Sequence, residues 1–329
     1  MTDATAGSRI ALHNTLREQA SPYDLAGDTR AGLAAMPKTL PSKYFYDRRG
    51  SALFEKITQL PEYYPTRAEK ALLLEVADEI GHLTGAQEIV ELGAGAATKT
   101  RVLLNALQRT GRLRLYVPFD VSESEVRRVA EELAGEYPDL QVHGIVADFV
   151  HHLAAIPPGS PRLVMLLGST IGNYSPKQAV GLLSRLSQRM ASGDFFLLGA
   201  DLIKDLDVLE RAYNDSSGIT ADFNRNILRV VNQIAAGDFN PRLFTHSAIY
   251  NRHFQRIEMH LAATESHRVE LPEIDLTMDI QMGESIRTEI SCKYDRSRIE
   301  TMLEASGFHL TRWFTDQEQL FALALAQKG

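Results

Sequence analysis

Short apolar runs alternate with amphipathic segments through the middle of the chain. The runs lie at residues 89–92, 113–119, 140–147, 163–167 and 195–199, and the segments between them have the periodicity of helices. Alternation of strand and helix predicts a parallel sheet, because parallel neighbours need a crossover connection. The run at 163–167 is almost entirely apolar, which predicts a central strand.

The pattern changes after Asp201. Helices are predicted at 205–213 and 220–235, and residues 245–291 then alternate apolar and polar positions between polar turns. This alternation is typical of antiparallel strands with one buried face. We therefore predict a second, smaller α+β lobe.

The last part of the chain returns to helix and strand. A helix is predicted at 295–305, and apolar strands at 309–314 and 320–326 are separated only by the polar segment 315–319. So short a connection makes the two strands antiparallel neighbours. The expected fold is an α/β sheet closed by an antiparallel hairpin.

The N-terminal region is less regular. Residues 1–30 are polar and rich in alanine with sparse apolar positions, which is typical of either a partly disordered segment or a loose helix. Between Pro37 and Arg67 aromatic residues stand among prolines, which indicates an arm that covers a core. A helix is predicted at 68–80, after a proline and a capping threonine.

Composition limits the partners. A net charge of −7 argues against a nucleic-acid surface, which would carry a basic face. The single cysteine, Cys292, permits neither an intramolecular disulfide nor a cysteine-based metal site. No apolar run approaches the ~20 residues of a membrane span, and the first residues lack the apolar segment of a signal peptide. We therefore expect a cytoplasmic protein that acts on a small molecule, with no nucleic-acid or membrane partner.

The segment 88–100 combines a strand, a glycine turn and the start of a helix. Gly93 and Gly95 let a ligand approach the backbone, and the N–H groups that open the helix face it. Thr98 stands where a dinucleotide fingerprint needs a small residue. Glu91 with the two glycines instead resembles the E-x-G-x-G pattern of methyltransferases that use S-adenosylmethionine.

Two acidic residues follow the next two strands. Asp120 can accept hydrogen bonds from both ribose hydroxyls, and Asp148 can accept one from the amine of adenine while Phe149 packs beside the base. Lys99 lies near a helix start, where a cation needs an anionic partner such as a ligand carboxylate. Each residue also has a purely structural interpretation, as a turn or solvated residue.

Other chemistries find little support. His151 and His152 are adjacent, so they cannot share one helical face, and we interpret them as surface residues without a metal. The chain has no nucleophile elbow with a Ser-His-Asp context. We therefore predict no metal cofactor.

Several longer motifs resemble the histidine Nα-methyltransferases of ergothioneine biosynthesis, over roughly residues 37–326. The motifs are Tyr44-Phe-Tyr-Asp47, Gly50-Ser-Ala-Leu-Phe54, Leu60-Pro-Glu-Tyr-Tyr-Pro-Thr-Arg67, Glu91-Leu-Gly-Ala-Gly95, Leu167-Gly-Ser-Thr-Ile-Gly-Asn173, Phe223-Asn-Arg-Asn226 and Glu289-Ile-Ser-Cys-Lys293. The resemblance implies a class I methyltransferase, with a Rossmann-like seven-stranded sheet at residues 68–203 and 294–329. It implies a substrate lobe at residues 1–67 and 204–293.

The resemblance also implies the reaction and its site. The expected reaction is S-adenosylmethionine-dependent trimethylation of the α-amino group of L-histidine to hercynine, which releases S-adenosylhomocysteine. The implied donor-site residues are Gly93, Lys99, Asp120 and Asp148, to which Phe149 is added. The implied substrate residues are Tyr63, Asn173 and Tyr213 at the carboxylate, Tyr46, Gly168 and Thr220 near the amine, Phe54 and Met259 as walls, and Glu289 and Ser291 at the imidazole. Tyr46, Asn173 and Tyr213 are the residues we assign to catalysis.

Alternatives remain open at this stage. A relative with a reshaped pocket could methylate another amino acid such as tryptophan, although Glu289 suits an imidazole better than an indole. The fold could also serve as a noncatalytic ligand-binding protein. Ser291 could serve the second ring nitrogen as donor or as acceptor. We expect a monomer.

Overall fold

The computed structural model describes residues 9–18 and 25–329. They form two compact units: residues 9–18, Ala68–Leu202 and Tyr294–Gly329 make the first, and residues 25–67 and Ile203–Lys293 make the second. The strands are β1 (Ile10–Asn14), β2 (Lys38–Thr39), β3 (Glu88–Leu92), β4 (Leu115–Asp120), β5 (Gln141–Val146), β6 (Arg162–Leu166), β7 (Phe195–Asp201), β8 (Phe244–Asn251), β9 (Arg256–Ala263), β10 (His267–Leu271), β11 (Leu276–Ile280), β12 (Ser285–Cys292), β13 (Phe308–Thr315) and β14 (Phe321–Lys328).

The helices carry the crossovers and cover the sheets. They are α1 (Thr15–Glu18), α2 (Leu25–Ala34), α3 (Arg48–Thr58), α4 (Pro65–Thr84), α5 (Thr100–Arg109), α6 (Glu123–Glu136), α7 (Phe149–His152), α8 (Pro176–Ser187), α9 (Leu206–Tyr213), α10 (Ile219–Ala235) and α11 (Arg296–Ala305). Short 3-10 helices lie at Ser42–Phe45, Leu153–Ala155, Thr170–Asn173, Pro241–Leu243 and Pro272–Ile274.

The first unit is built on one sheet of eight described strands, in the order β1-β5-β4-β3-β6-β7-β14-β13. Strands β3 to β7 are parallel, and every residue of β6 is buried, as expected for a strand between β3 and β7. Strand β14 pairs antiparallel with both β7 and β13. The predicted parallel sheet and closing hairpin are therefore confirmed.

The eighth strand is a correction to the sequence analysis. Residues 1–67 were expected in the substrate lobe, but β1 pairs in parallel with β5 at the edge of the large sheet. Ile10 and Leu12 pack against the core of the first unit. Gly144 of β5 makes room, since a Cβ at this position would lie 2.6 Å from Cδ2 of Leu12. Residues 1–8 and 19–24, also part of the expected arm, lie outside the described residues.

The second unit contains a four-stranded sheet, β2-β12-β9-β8, and the hairpin β10-β11. Strands β8, β9 and β12 pair antiparallel, which confirms the prediction for residues 245–291. Helix α10 packs on α3 and on the 3-10 helix at Ser42–Phe45. At that contact the rings of Phe45 and Phe223 stack with centroids 4.5 Å apart.

Strand β12 carries a bulge that changes which side chains share a face. Arg287 stands opposite His260 and Glu289 opposite Met259, so Thr288 is the extra residue. Simple alternation predicts Arg287 on the face of Glu289 and Ser291. Because of the bulge, Arg287 instead lies on the opposite face, while Glu289 and Ser291 do share one face, as predicted.

Candidate active site

The glycine turn of the first unit has the backbone conformation that its sequence requires. Gly93 and Gly95 have φ of +73° and +48°, a region that glycine adopts without steric cost. The Gly93 N–H donates to the Phe119 carbonyl at 2.7 Å, which ties the turn to the end of β4. Gly93 is exposed, so a ligand can reach its backbone.

Asp120 ends β4 beside this turn. Its carboxylate accepts the Gly95 N–H at 2.9 Å and the Ser122 N–H at 3.0 Å, one on each oxygen. Burial raises the pKa of Asp120 despite these two hydrogen bonds. Each oxygen keeps a further lone pair, which suits the two hydroxyls of a ribose. This geometry fits the predicted role of Asp120 as the acceptor for the ribose hydroxyls.

Asp148 and Phe149 lie after β5. Oδ1 of Asp148 caps α7 by accepting the Val150 N–H at 2.8 Å, and the side chain is almost fully buried. The Phe149 ring meets Phe119 edge to face with centroids 6.5 Å apart, and a Cβ on Gly93 would lie 3.7 Å from it. The glycine turn, Asp120 and Phe149 are thus brought to one edge of the sheet, the carboxyl ends of β3, β4 and β5.

One of the two adjacent histidines was misassigned. His152 is buried, with 5% of its surface exposed, and its Nδ1 lies 3.0 Å from the Asp148 carbonyl oxygen. The other, His151, is exposed as predicted. The cause is the short helix α7, which turns one of the two rings inward while the other stays in solvent. Among the described residues, no group of histidine, cysteine and acidic side chains could hold a metal ion.

Lys99 has a protein partner that the sequence analysis missed. Its ammonium group pairs with Glu69 of α4, a carboxylate with no exposed surface, so the anion beside Lys99 belongs to the protein. The other Glu69 oxygen accepts the Gly168 N–H at 2.7 Å. Glu69 thereby links the start of α5 to the loop after β6. The sequence offers one indication of Glu69, which is its position one turn into a predicted helix.

The loop after β6 holds Gly168 and Asn173. Gly168 has φ of +72° and is exposed, and a Cβ there would lie 3.6 Å from Nζ of Lys99. Asn173 is half-buried at the end of the 3-10 helix Thr170–Asn173. The structure therefore places Gly168 beside Lys99 within the first unit.

The second unit carries the other predicted residues, beginning with a cluster of aromatic rings. The Phe54 ring lies 5.6 Å from Tyr46, 5.9 Å from Phe223 and 6.2 Å from Tyr63, measured between centroids. Tyr63 also meets Tyr213, at 6.2 Å. Four predicted site residues thus form one continuous set of ring contacts, which also includes Phe223 and, stacked on it, Phe45, two residues that the site prediction left out.

A buried hydrogen-bonded triad lies at the end of β12. The Tyr213 hydroxyl donates to Oγ of Ser291 at 2.9 Å, and Nζ of Lys293 donates to the same Oγ at 2.7 Å and to the Tyr213 oxygen at 2.9 Å. Lys293 has no exposed surface. Sequence reasoning selected Tyr213 and Ser291 but missed Lys293, although the motif that contains it was noted. Lys293 lies two residues after Ser291, and in an extended segment this spacing places two side chains on the same face.

Glu289 lies two residues before Ser291 on the same face of the sheet. Desolvation raises its pKa to about 7, and the nearby Lys293 ammonium opposes that shift. Met259 stands opposite Glu289 on β9 and is buried. Thr220 is buried at the start of α10, where its N–H donates to Asp215 at 2.7 Å. The structure therefore places Glu289 and Met259 side by side on neighbouring strands.

A parallel sheet closed by the β13-β14 hairpin, with a glycine turn after β3 and acids after β4 and β5, defines a class I S-adenosylmethionine-dependent methyltransferase. The exposed backbone at Gly93 and the remaining lone pairs of the Asp120 carboxylate fit the amino-acid tail and the ribose hydroxyls of S-adenosylmethionine. The chain belongs to the family of histidine-specific, S-adenosylmethionine-dependent methyltransferases, whose model matches residues 25–328. This match confirms the predicted resemblance and enzyme class.

Individual relatives include proteins named for histidine, for ergothioneine biosynthesis and for tryptophan. The chain is 44% identical to histidine N-alpha-methyltransferase of Mycobacterium tuberculosis over 320 residues, which cover 97% of this chain and 100% of the relative. It is 30% identical to ergothioneine biosynthesis protein 1 of Neurospora crassa over 84% of this chain and 32% of the relative. It is 27% identical to the L-tryptophan methyltransferase of Psilocybe serbica over 88% of each chain. None of the described helices has the length and apolar character needed to cross a membrane.

Proposed function

We propose that this protein transfers three methyl groups in succession from S-adenosylmethionine to the α-amino group of L-histidine, and that the product is hercynine, the first intermediate of ergothioneine biosynthesis. The observation that carries the proposal is the full-length similarity to a histidine N-alpha-methyltransferase. The shared face of Glu289 and Ser291, an acceptor and a hydroxyl, supports an imidazole as the ring that is bound.

The donor is assigned to the first unit. Gly93 and Gly95 present backbone to its amino-acid tail, Asp120 accepts from the ribose, and Asp148 with Phe149 flanks the adenine. Lys99 is held by Glu69 at the start of α5, and we assign it to the donor carboxylate. When bound, S-adenosylmethionine supplies the methyl group and leaves as S-adenosylhomocysteine. The transfer is a displacement at carbon that depends on positioning, so the proposal includes no metal.

The substrate is assigned mainly to the second unit. The carboxylate of histidine is held by Tyr63, Tyr213 and Asn173, its ring lies between Phe54 and Met259, and its imidazole is read by Glu289 and Ser291. Tyr46, Gly168 and Thr220 surround the amine. The amine must be neutral to react, and an α-amino pKa of about 8 leaves part of it neutral at pH 7. Because the carboxylate and ring are the anchors, the amine can rotate between successive transfers.

Three further points belong to the proposal. We assign donor binding to residues 68–203 and 294–329, and substrate binding to residues 204–293 with the segment before α4. We expect a monomer that works in the cytoplasm on small molecules, without nucleic-acid or membrane partners. The acidic composition argues against a nucleic-acid partner, and the single cysteine is consistent with a reducing compartment. Light scattering of the purified protein tests the oligomeric state.

Mass spectrometry tests the reaction. The protein is incubated with S-adenosylmethionine and each amino acid separately, and fragment ions locate the added methyl groups. The proposal expects histidine to gain one, two and then three methyl groups, all on the α-nitrogen. Methylation of the ring nitrogens, or of tryptophan in preference to histidine, would contradict it. Binding of both ligands without any transfer would identify a noncatalytic protein.

A further inference from the structure

The bulge in β12 decides on which face of the sheet Glu289 and Ser291, here called the ring-binding pair, are found. Thr288 is the extra residue of the bulge. If the pairing before the bulge continued without it, Thr288 would take the place opposite Met259 that Glu289 now occupies. The ring-binding pair would then lie on the other face, because side chains alternate along a strand. Whatever holds Thr288 therefore also orients the ring-binding pair.

A buried hydrogen-bond network holds Thr288. Its hydroxyl donates to Oδ1 of Asn224 on α10 at 2.6 Å and lies 3.2 Å from the Met259 carbonyl oxygen. Neither Thr288 nor Asn224 has exposed surface. Nδ2 of Asn224 donates to the His260 carbonyl at 3.1 Å and to Nδ1 of His246 at 2.8 Å. The oxygen and both hydrogens of the Asn224 amide thus have partners inside the second unit.

Two main-chain carbonyls fix the direction of the bonds in this network. A carbonyl can only accept, so the Asn224 atom that faces the His260 carbonyl is the nitrogen, and the amide oxygen faces Thr288. Nε2 of His246 lies 2.9 Å from the Tyr213 carbonyl oxygen and must therefore carry a proton. Nδ1 of the same ring must be unprotonated, because the Asn224 nitrogen can only donate to it.

The surroundings of His246 favour this neutral ring. Burial lowers the pKa of His246, and the charge of Arg225 on α10 lowers it further. The Tyr213 carbonyl and Asp215, which precedes α10, oppose the shift. A proton on Nδ1 would meet the hydrogens of the Asn224 amide, so the network is complete only when the ring is neutral.

Building on the proposed function, we infer that Asn224 and Thr288 are positioning residues that hold the bulge of β12 and thereby direct the ring-binding pair toward the substrate imidazole. His246 completes the network by accepting from the Asn224 amide. No contact with the substrate is assigned to any of the three. The same network contacts the main chain of Tyr213, a residue assigned to the substrate carboxylate, so it supports both ends of the substrate site.

Two substitutions of Thr288 separate its hydroxyl from its packing. Thr288→Val keeps the shape and removes the hydroxyl, and should raise KM for histidine at least about fivefold while kcat falls less than about twofold, because the ring is held less well and the donor site is untouched. Thr288→Ser keeps the hydroxyl and should have a KM close to that of the wild type. Asn224→Leu removes the acceptor and should resemble Thr288→Val. Calorimetry should show unchanged binding of S-adenosylhomocysteine in all three.

Asn232→Leu is the matched control on the same helix, about two turns beyond Asn224. Asn232 donates to the Phe239 carbonyl at 2.8 Å and accepts the Phe239 N–H at 2.9 Å, so this variant loses two hydrogen bonds at the far end of α10. It should lose stability and keep the wild-type KM. A rise in KM equal to that of Asn224→Leu would overturn the inference, because the effect would then follow from a less stable helix.

Nuclear magnetic resonance of the wild-type protein tests the network without a substitution in it. With nitrogen-15 labelling at neutral pH, the His246 ring should give a pyrrole-type Nε2 and a pyridine-type Nδ1. Its signals are identified by their loss in His246→Gln. A protonated Nδ1 in the wild type would overturn the inference even if Thr288→Val and Asn224→Leu fail to fold.

The outcomes separate this inference from the proposed function. If folded Thr288→Val keeps the wild-type KM, or if Thr288→Ser loses as much as Thr288→Val, the hydroxyl does not hold the bulge and only this inference fails. In both cases methylation of histidine by the wild type would leave the proposed function intact. Failure of the wild type to bind histidine would overturn both.

Discussion

In the first unit the candidate site combines a glycine turn with acidic side chains at the ends of strands, whereas in the second unit it consists of side chains alone. The N–H groups of Gly93 and Gly95 donate to the Phe119 carbonyl and to the Asp120 carboxylate, so the turn is fixed by one main-chain and one side-chain acceptor at the end of β4. In the second unit Glu289 and Ser291 lie on the bulged strand β12, and Lys293, which directly follows the strand, donates to Ser291. A site of the first kind is suited to one unchanging donor, and a site of the second kind to a specificity that single substitutions can alter.

Two carboxylates with raised pKa values show the same contrast. Burial raises the pKa of both Glu91 and Glu289 to about 7. Glu91 accepts hydroxyl hydrogen bonds from Thr100 and Tyr116, and so joins β3 to β4 and α5 inside the first unit. Glu289 has a raised pKa without such donors. A perturbed carboxylate is therefore structural where its donors come from the protein, and a candidate for ligand binding where they do not.

The largest expected effect is on the stability of the first unit. Glu69→Leu removes the partner of Lys99 and the acceptor of the Gly168 N–H, and should lower the free energy of unfolding by about 3 kcal/mol. Glu69→Gln, the matched control, keeps an acceptor for Gly168 and should lose less. Urea unfolding measures both. A loss below about 1 kcal/mol for Glu69→Leu would show that this carboxylate does not hold the two loops together.

The second-largest expected effect is the loss of affinity for S-adenosylhomocysteine in Asp120→Ala. Loss of hydrogen bonds to a charged group costs about 1.5–3 kcal/mol, so S-adenosylhomocysteine should bind roughly 10- to 150-fold more weakly. Calorimetry on the folded variant gives the dissociation constant. Affinity equal to that of the wild type would remove Asp120 from the ribose role.

In the second unit, Glu289→Ala should lower kcat/KM for histidine by at least about tenfold, since an acceptor for the ring N–H is lost. Tryptophan and other amino acids without an imidazole should lose nothing. Steady-state kinetics with both substrate types gives the ratio. An equal loss for both would mean that Glu289 supports the fold and does not read the ring.

The smallest effect concerns pH and stability. Because the folded-state pKa of Glu289 is raised from 4.5 to about 7, the folded protein holds a proton that the unfolded chain has lost between these values. Stability from this group is present at low pH and declines as pH rises through that window. Relative to the wild type, the free energy of unfolding of Glu289→Gln should therefore increase by about 1–2 kcal/mol as the pH rises from 5 to 8. Unfolding curves at several pH values that stay parallel for the two proteins would contradict the assigned pKa.

Features of the fold that depend on local sequence were predicted correctly, whereas contacts between residues far apart in the chain were not. The parallel sheet, the glycine turn and the acids after β4 and β5 follow from period, turn chemistry and strand ends, all of which are local. The contact between Lys99 and Glu69 is a pairing of residues 30 positions apart, and no periodicity encodes it. The pairing of β1 with β5 likewise spans more than 120 residues, and depended on the space at Gly144.

The bulge in β12 shows why the second site was harder. Alternation correctly placed Glu289 and Ser291 together, because both follow the extra residue, but it misplaced Arg287, which precedes it. Tyr213, Tyr63 and Phe54 come together only through tertiary packing, so their selection depended on resemblance to a family. Lys293 was not predicted because a buried lysine is rare, and its hydrogen bonds to the hydroxyls of Tyr213 and Ser291 form only in the folded structure.

The most direct test of this division of labour crosses two variants with two ligands. Calorimetry is performed on the wild type, Asp120→Ala and Glu289→Ala, with S-adenosylhomocysteine alone and with histidine alone. We expect Asp120→Ala to lose affinity for S-adenosylhomocysteine and keep that for histidine, and Glu289→Ala to show the reverse. Equal losses of both ligands in either folded variant would contradict the claim that the first unit holds the donor while the second unit selects the substrate.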